Sequence, residues 1–431
     1  MRAFKVAMLA AIGLGILSGA EAATGSAWPA FRGPSGDGHA GDAGEGLPVS
    51  WSETENVAWK IPIPYVGWST PVVMDGQVWL TTATEGGNDF FALGIDADSS
   101  EIFYNELMFH SDDPEPLSNA VNGYASPSSI VEAGRVYVNF GSYGTACIDT
   151  KTLKTLWTRE DLECRHYRGP GSSLTMFENL LVITFDGVDQ QYVIALDKMT
   201  GKTVWKTDRS TEWTDWTEDG KPFRDGDLRK GFSTPIVHEV NGKPLLVTLG
   251  ASMVFGYDAR TGAEIWKMKI PGHTPSTSPI IVGDLAVIVT DVRATEMRGI
   301  RLDGKGDVTD SHIAWSQSGK WVPRTPSPIA VDGLVYTVSD QGILTCVEAR
   351  NGEVVWTERI GGNFQASPIY AGGNLYVTTV QGKTTVFKTG RRYREIGVNE
   401  LEIGCMASHA IAGGALFLRT KTHLYRVEDR E

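Results

Sequence analysis

One pattern recurs eight times along the 431 residues and leaves few folds open. A small residue, Ser or Thr, then Pro appears at Ser69-Thr70-Pro71, Ala125-Ser126-Pro127, Ser233-Thr234-Pro235, Thr277-Ser278-Pro279, Pro326-Ser327-Pro328 and Ala366-Ser367-Pro368. Weaker copies stand at Gly171-Ser172-Ser173 and Ala407-Ser408-His409. From Pro71 to His409 the mean spacing is about 48 residues, a period of propellers and solenoids. After each triplet come a few aliphatic residues, a turn such as Asp75-Gly76 or Asp332-Gly333, and a second apolar run. Such runs around Asp-Gly read as hairpins. A third run ends in Asp or Glu before a Thr-Gly or Asn-Gly turn and an aliphatic-Trp ending, as in ALDKMTGKTVW, Ala195 to Trp205. Four short strands per unit describe a propeller blade.

The eighth unit supplies only three strands before the chain ends. Asn56-Val57-Ala58-Trp59-Lys60 has the Trp ending of a fourth strand, yet precedes the first triplet. The sequence therefore predicts an all-β, eight-bladed propeller of four-stranded blades, closed by its N-terminal strand completing the last blade. Trp59, Trp157, Trp205, Trp266, Trp315 and Trp356 are read as inter-blade packing; near Phe103 and Ile396 the pattern lacks its Trp.

The formal charge is −13, with no basic stripe, which argues against nucleic acid as a partner. Arg2 and Lys5 before an apolar run, then Ala20-Glu21-Ala22, read as a secretory signal peptide over residues 1–22. The run is too short to span a membrane, and no cysteine stands near the cleavage site to carry a lipid anchor. The expected organisation is a signal peptide at 1–22, a lead-in at 23–50 and the propeller at 51–431. The expected location is exported, periplasmic or extracellular. Cys147 and Cys346 stand at the same third-strand position four blades apart, too distant to bridge each other. Whether Cys164 and Cys405 pair is open from sequence.

The Asp-x-x-Thr-Gly-x-x-x-Trp endings at Asp197 to Trp205 and Asp258 to Trp266 are similar to the tryptophan-docking motif of PQQ-repeat, quinoprotein-like and BamB-like propellers. The resemblance covers roughly residues 50 to 430. The lead-in, Trp28-Pro29-Ala30-Phe31-Arg32-Gly33-Pro34 through Trp51-Ser52-Glu53, resembles that of exported planctomycete-type members. The resemblance implies two alternatives: a PQQ- and calcium-dependent quinoprotein-type oxidoreductase, or a non-enzymatic protein-binding scaffold. A PQQ enzyme needs an aromatic floor, cations for three carboxylates, a Ca²⁺ held by oxygen ligands and an Asp base. The chain has neither adjacent cysteines nor a CxxCH haem motif. The expectation is therefore a monomeric scaffold for a protein or carbohydrate partner, without cofactor, metal site or catalytic residues. An atypical quinoprotein is the alternative.

Trp68, Tyr124 and Phe232 each follow a glycine just before a triplet, where an outer strand passes into the next innermost strand. On the same alignment the position holds Pro170, Ser276, Thr325, Gln365 and Met406, with Arg168, Arg324 and Phe364 beside it. This predicts a channel mouth that is aromatic on one side and polar, partly cationic on the other. Two insertions break the period. Phe103 to Asn122 holds HSDDPEPL, and Thr207 to Lys230 holds Trp213, Trp216 and a run of acidic residues. Insertions in repeat folds emerge on one face and often carry binding. The candidate ligand or partner residues are Trp68, Tyr124, Arg168, Phe232, Arg324, Phe364, Gln365, Trp213 and Trp216.

Overall fold

The computed structural model describes residues 27–117, 121–290, 295–401 and 404–430; the signal peptide expected at 1–22 lies outside them. Eight antiparallel sheets follow one another along the chain. In blade one the strands are Val72–Met74, Gln77–Ala83, Asp89–Asp96 and Ile102–His110, each paired with the next. Blade eight takes Ala410–Ala412, Ala415–Arg419 and His423–Val427 from the C-terminus. Its outermost strand is Val57–Pro62, antiparallel to His423–Val427. The predicted closure holds, and it removes the free edge an open array would leave. The fourth blade gains a short parallel addition, Gly306–Asp307 beside Trp266 and Lys267.

The cores sit between blades. Leu245, Val247 and Leu249 of blade four pack with Ala286 and Ile288 of blade five, and the pattern repeats around the disc. The Trp endings tie the outer rim. Trp157 of blade two donates its Nε1 proton to Lys198 O in the turn of blade three, and Trp315 and Trp356 do the same to the blades that follow them. Trp157 lies against Gly201, at φ +69°, where a Cβ would meet the indole at 2.6 Å. Pairing places Tyr104 and Gly397 where other blades have Trp. At Gly397 a Cβ would stand 2.3 Å from Val49 O, so the absent side chain makes room for the lead-in.

Around the channel a ring of hydroxyls links the blades. Thr70 N donates to Ser128 Oγ, Ser128 N to Ser173 Oγ and Ser173 N to Thr234 Oγ1, each at 2.9 Å. Ser278 N, Ser327 N and Ser367 N continue the series to Ser327, Ser367 and Ser408. The hydroxyls of Ser278 and Thr70 receive no partner. At the second of these junctions, between blades eight and one, buried Arg419 donates instead to Ser69 O and Thr81 O.

This ring corrects the alignment of two blades. Each ring residue stands two positions before its innermost strand, so the blade-two member is Ser128, not Ser126, and the blade-three member is Ser173, not Ser172. The Ser126-Pro127 pair imitates the triplet without making its hydrogen bond.

The lead-in crosses one end of the channel and covers part of it. Trp28 exchanges two backbone hydrogen bonds with Val73, and Pro29 O accepts from Val131 N. Arg32 is fully buried and donates to Pro328 O at 2.7 Å. Gly38 O and Ala40 N bridge Tyr370, and Trp51 N donates to Asn399 Oδ1. Among the described residues no helix is long and apolar enough to cross a membrane.

Candidate functional site

The corrected register defines the opposite, upper mouth. Two residues before each ring hydroxyl stand Trp68, Ser126, Gly171, Phe232, Ser276, Thr325, Gln365 and Met406. All eight are half-buried, whereas the residue that follows each of them is buried. Position in the segment leading into the innermost strand therefore fixes which residues face the mouth. Trp68 leans against Gly123 and Phe232 against Gly171, where a Cβ would meet the Phe232 ring at 2.5 Å. The predicted aromatic side thus contains Trp68 and Phe232, with Gln365 and Thr325 opposite.

Tyr124 does not belong to that circle. It is buried edge-on against Phe90 and gives its hydroxyl proton to Glu115 O. Phe364 is also buried, in the core shared by blades six and seven. Arg324 is exposed, its backbone N–H donating to Asp340 Oδ2 while Thr325 donates to Oδ1. Arg168 is held bidentate by Asp227, at 2.8 Å on both arms.

Both insertions join an outermost strand to the next innermost strand, so both rise on this face. The second is rigidly built. Arg229 binds Asp215 at 2.7 Å, with its guanidinium 4.3 Å from the ring centre of Trp216 and 5.1 Å from that of Trp213. Trp213 donates to Gln191, while Trp216 remains 56% exposed. In the first insertion Asn122 Nδ2 donates to the carbonyls of Arg168, Gly169 and Pro170; residues 118–120 lie outside the description.

Four buried polar side chains lie beneath this face; of these only His166 stood out in the sequence, as a histidine near the channel. Asp186 and Arg209 form a buried bidentate pair at 2.8 and 3.0 Å, and Arg209 also donates to Thr248 of blade four. His166 accepts from Ser142 N, and burial, reinforced by Lys230, keeps its imidazole well below its ordinary pKa. Lys230 is itself buried, with its ammonium 4.9 Å from the Phe232 ring centre, and desolvation lowers its pKa. Its place beside Phe232 was the one signal available. The cysteines are all free and buried. Cys164 faces Gln190 O, and Cys405 donates to Arg419 O, so the pairing left open does not form.

The carboxylates near this mouth are a poor fit for the calcium ion that PQQ would need. Asp186 and Asp227 are occupied by arginines, and Asp340 accepts from Arg324 N and Thr325. A calcium ion would have to compete with the two arginines for Asp186 and Asp227, and share Asp340 with the donors already on it. Among the described residues no three His, Cys, Asp or Glu side chains converge as a metal site.

The comparisons define first a class: eight-bladed propellers of the quinoprotein and BamB type. The structure is similar to BamB from Moraxella catarrhalis, with a TM-score of 0.57 and 12% identity, covering 86% of this chain and 99% of that one. It is also similar to quinohemoprotein alcohol dehydrogenase from Comamonas testosteroni, with a TM-score of 0.63 and 13% identity, covering 96% and 82%. At such identities the likeness concerns the fold. Residues 189–431 match the model of the outer membrane protein assembly factor BamB family, and the chain belongs to that family. Among curated relatives, a quinoprotein ethanol dehydrogenase of Pseudomonas aeruginosa is 28% identical over 44% of this chain and 29% of its own length. BamB of Moranella endobia is 25% identical over 44% of this chain and 48% of its own length. The chain thus spans less than half the length of the curated relatives it matches.

Proposed function

We propose that the protein is an exported, monomeric binding scaffold. It engages a protein partner, or a carbohydrate, through the upper channel mouth and the two insertions on the same face. One observation carries this reading: the mouth circle, the exposed Trp216 and both insertions share one face, while the lead-in spans the other. Aromatic side chains held rigidly beside charged groups are the material of binding hot spots. In this reading neither PQQ nor calcium is required. The second reading, a quinoprotein-type oxidoreductase with an atypical site, has the match to the ethanol dehydrogenase in its favour. Against it stand the mouth carboxylates, already engaged.

Photo-crosslinking tests the scaffold reading. A benzophenone amino acid at Trp216 or Trp68 is expected to give discrete adducts in the source cells. The same group at exposed Val204, on an outer strand, is expected to give none. Equal crosslinking from Val204, or none from the upper face, overturns the reading.

A further inference from the structure

The lower face carries a second, differently built opening. The residue three positions beyond each ring hydroxyl is Val73, Val131, Met176, Val237, Ile281, Ala330, Tyr370 and Ile411 in blade order. In blade three the turn at Glu178-Asn179 makes Phe177 and Leu180 the hydrogen-bonded pair closing the hairpin. Met176, one position back, therefore directs its N–H and C=O away from its blade and into the channel. The same count, from the turns at Asn241-Gly242 and Gly283-Asp284, turns Val237, Glu239 and Ile281 inward.

The lead-in already uses this edge. It bridges Val73 and Tyr370 with two backbone bonds each, donates nothing but accepts from Val131 at Pro29, and reaches Ala330 O through His39. It leaves Met176, Val237 and Ile281 half-buried and, among the described residues, without a backbone partner from the lead-in. A cavity of about 700 Å³ opens beside Met176 and Val237, between Phe31 and Gly33 to Gly36 of the lead-in and the innermost strands of blades two, three and four; Ile281 stands on the next blade, past its lining. Its walls are apolar at Phe31, Met176 and Phe177. Glu132 and Glu178 on its rim are held by Lys198 and Arg260; Glu239 feels Arg260 without an ion pair to it, and neighbouring Asp284 makes no ion pair among the described residues.

We propose that this cavity receives an extended peptide segment of a partner protein, alternating apolar side chains with at least one lysine or arginine. The segment crosses from blade three to blade five and bridges the inward backbone groups of Met176, Val237 and Ile281, continuing around the channel what the lead-in does at blades one, two, six and seven. Backbone pairing gives affinity, the apolar wall selects alternate side chains, and the unpaired carboxylates favour a cation. The site is distinct from the upper mouth and does not depend on the function proposed there.

The test is fluorescence anisotropy of the purified mature protein with labelled alternating hexapeptides of Lys, Val and Phe. Saturable binding is expected, about tenfold weaker for peptides N-methylated on the pairing edge, since each loses the donors the bridges need. Glu239→Lys is expected to weaken binding severalfold. Val237→Pro removes an N–H that serves no ladder bond within the blade, and is expected to weaken binding about tenfold with an unchanged melting temperature. Should Val237→Pro misfold, the N-methylated peptides on the native protein decide. Equal affinity for N-methylated and unmodified peptides overturns the proposal, as does no binding by any peptide up to about 1 mM. Sedimentation showing a dimer that Glu239→Lys dissociates also overturns it, by making the occupant a second copy of this chain.

Discussion

The two ends of the channel are made by different means. The upper mouth consists of one position of the repeat read eight times, and its side chains vary from blade to blade: Trp, Ser, Gly, Phe, Ser, Thr, Gln, Met. The lower end is covered by a segment outside the repeat, anchored by Trp28, Arg32 and Trp51. Trp28 and Arg32 are fully enclosed, and burial lowers the Arg32 guanidinium to about 10, so it keeps its charge at neutral pH. The lower face therefore contributes to stability where the lead-in lies, and the upper face holds its aromatics partly in water. Variation at a repeated position that the fold does not constrain is where a repeat protein can place specificity.

Truncation at the two ends should separate these roles. Trp28→Ala removes a fully buried indole and is expected to cost about 3–5 kcal/mol of stability, read from denaturant midpoints. If its cost falls below that of Trp68→Ala, the lead-in is not the structural closure described here. A smaller contrast concerns acid. His409 is buried against Thr378 and its pKa is lowered to about 4, so the folded protein keeps it neutral while the unfolded chain takes up a proton below about 6.5. Stability is then full above that value and falls as pH drops toward 4, by about 1.4 kcal/mol per pH unit for this group. His409→Gln should flatten the dependence by that slope between pH 6 and 4.5, as measured by urea melts; an unaltered slope would remove His409 from the acid response.

The hydroxyl ring offers a finer comparison. Ser327→Ala strips the acceptor from Ser278 N and is expected to cost about 1 kcal/mol. Ser278→Ala deletes a hydroxyl that receives no bond and should be close to neutral. Equal costs would show that the ring links do not stabilise the blades individually. A cost of similar size, about 0.5–1 kcal/mol for the lost Arg229 contact, is expected of Trp216→Ala, which should also abolish the crosslinks expected from position 68. Preserved partner capture in that variant would move the binding surface elsewhere.

The fold was legible because hairpin turns, Trp endings and the displaced N-terminal strand are local patterns with one common period. The mouth was legible only where the period was clean. Trp68 and Phe232 were found, but Ser126-Pro127 drew the alignment two residues out of step and put Tyr124 in a circle it does not join. What identifies the ring residue is a hydrogen bond to the next blade, and residue type alone does not encode that partner. The lead-in's path was invisible for a related reason: it pairs with strands far away in sequence and has no period of its own. Lys230 and the Asp186–Arg209 pair look like ordinary surface charges until the second insertion is seen folded over them.

The most direct test of the central claim, binding without a redox cofactor, is calorimetric titration of the purified mature protein with PQQ, with and without Ca²⁺. No heat of binding and no thermal stabilisation are expected in either case. Calcium-dependent binding at about micromolar affinity or tighter would contradict the scaffold reading and favour the oxidoreductase reading.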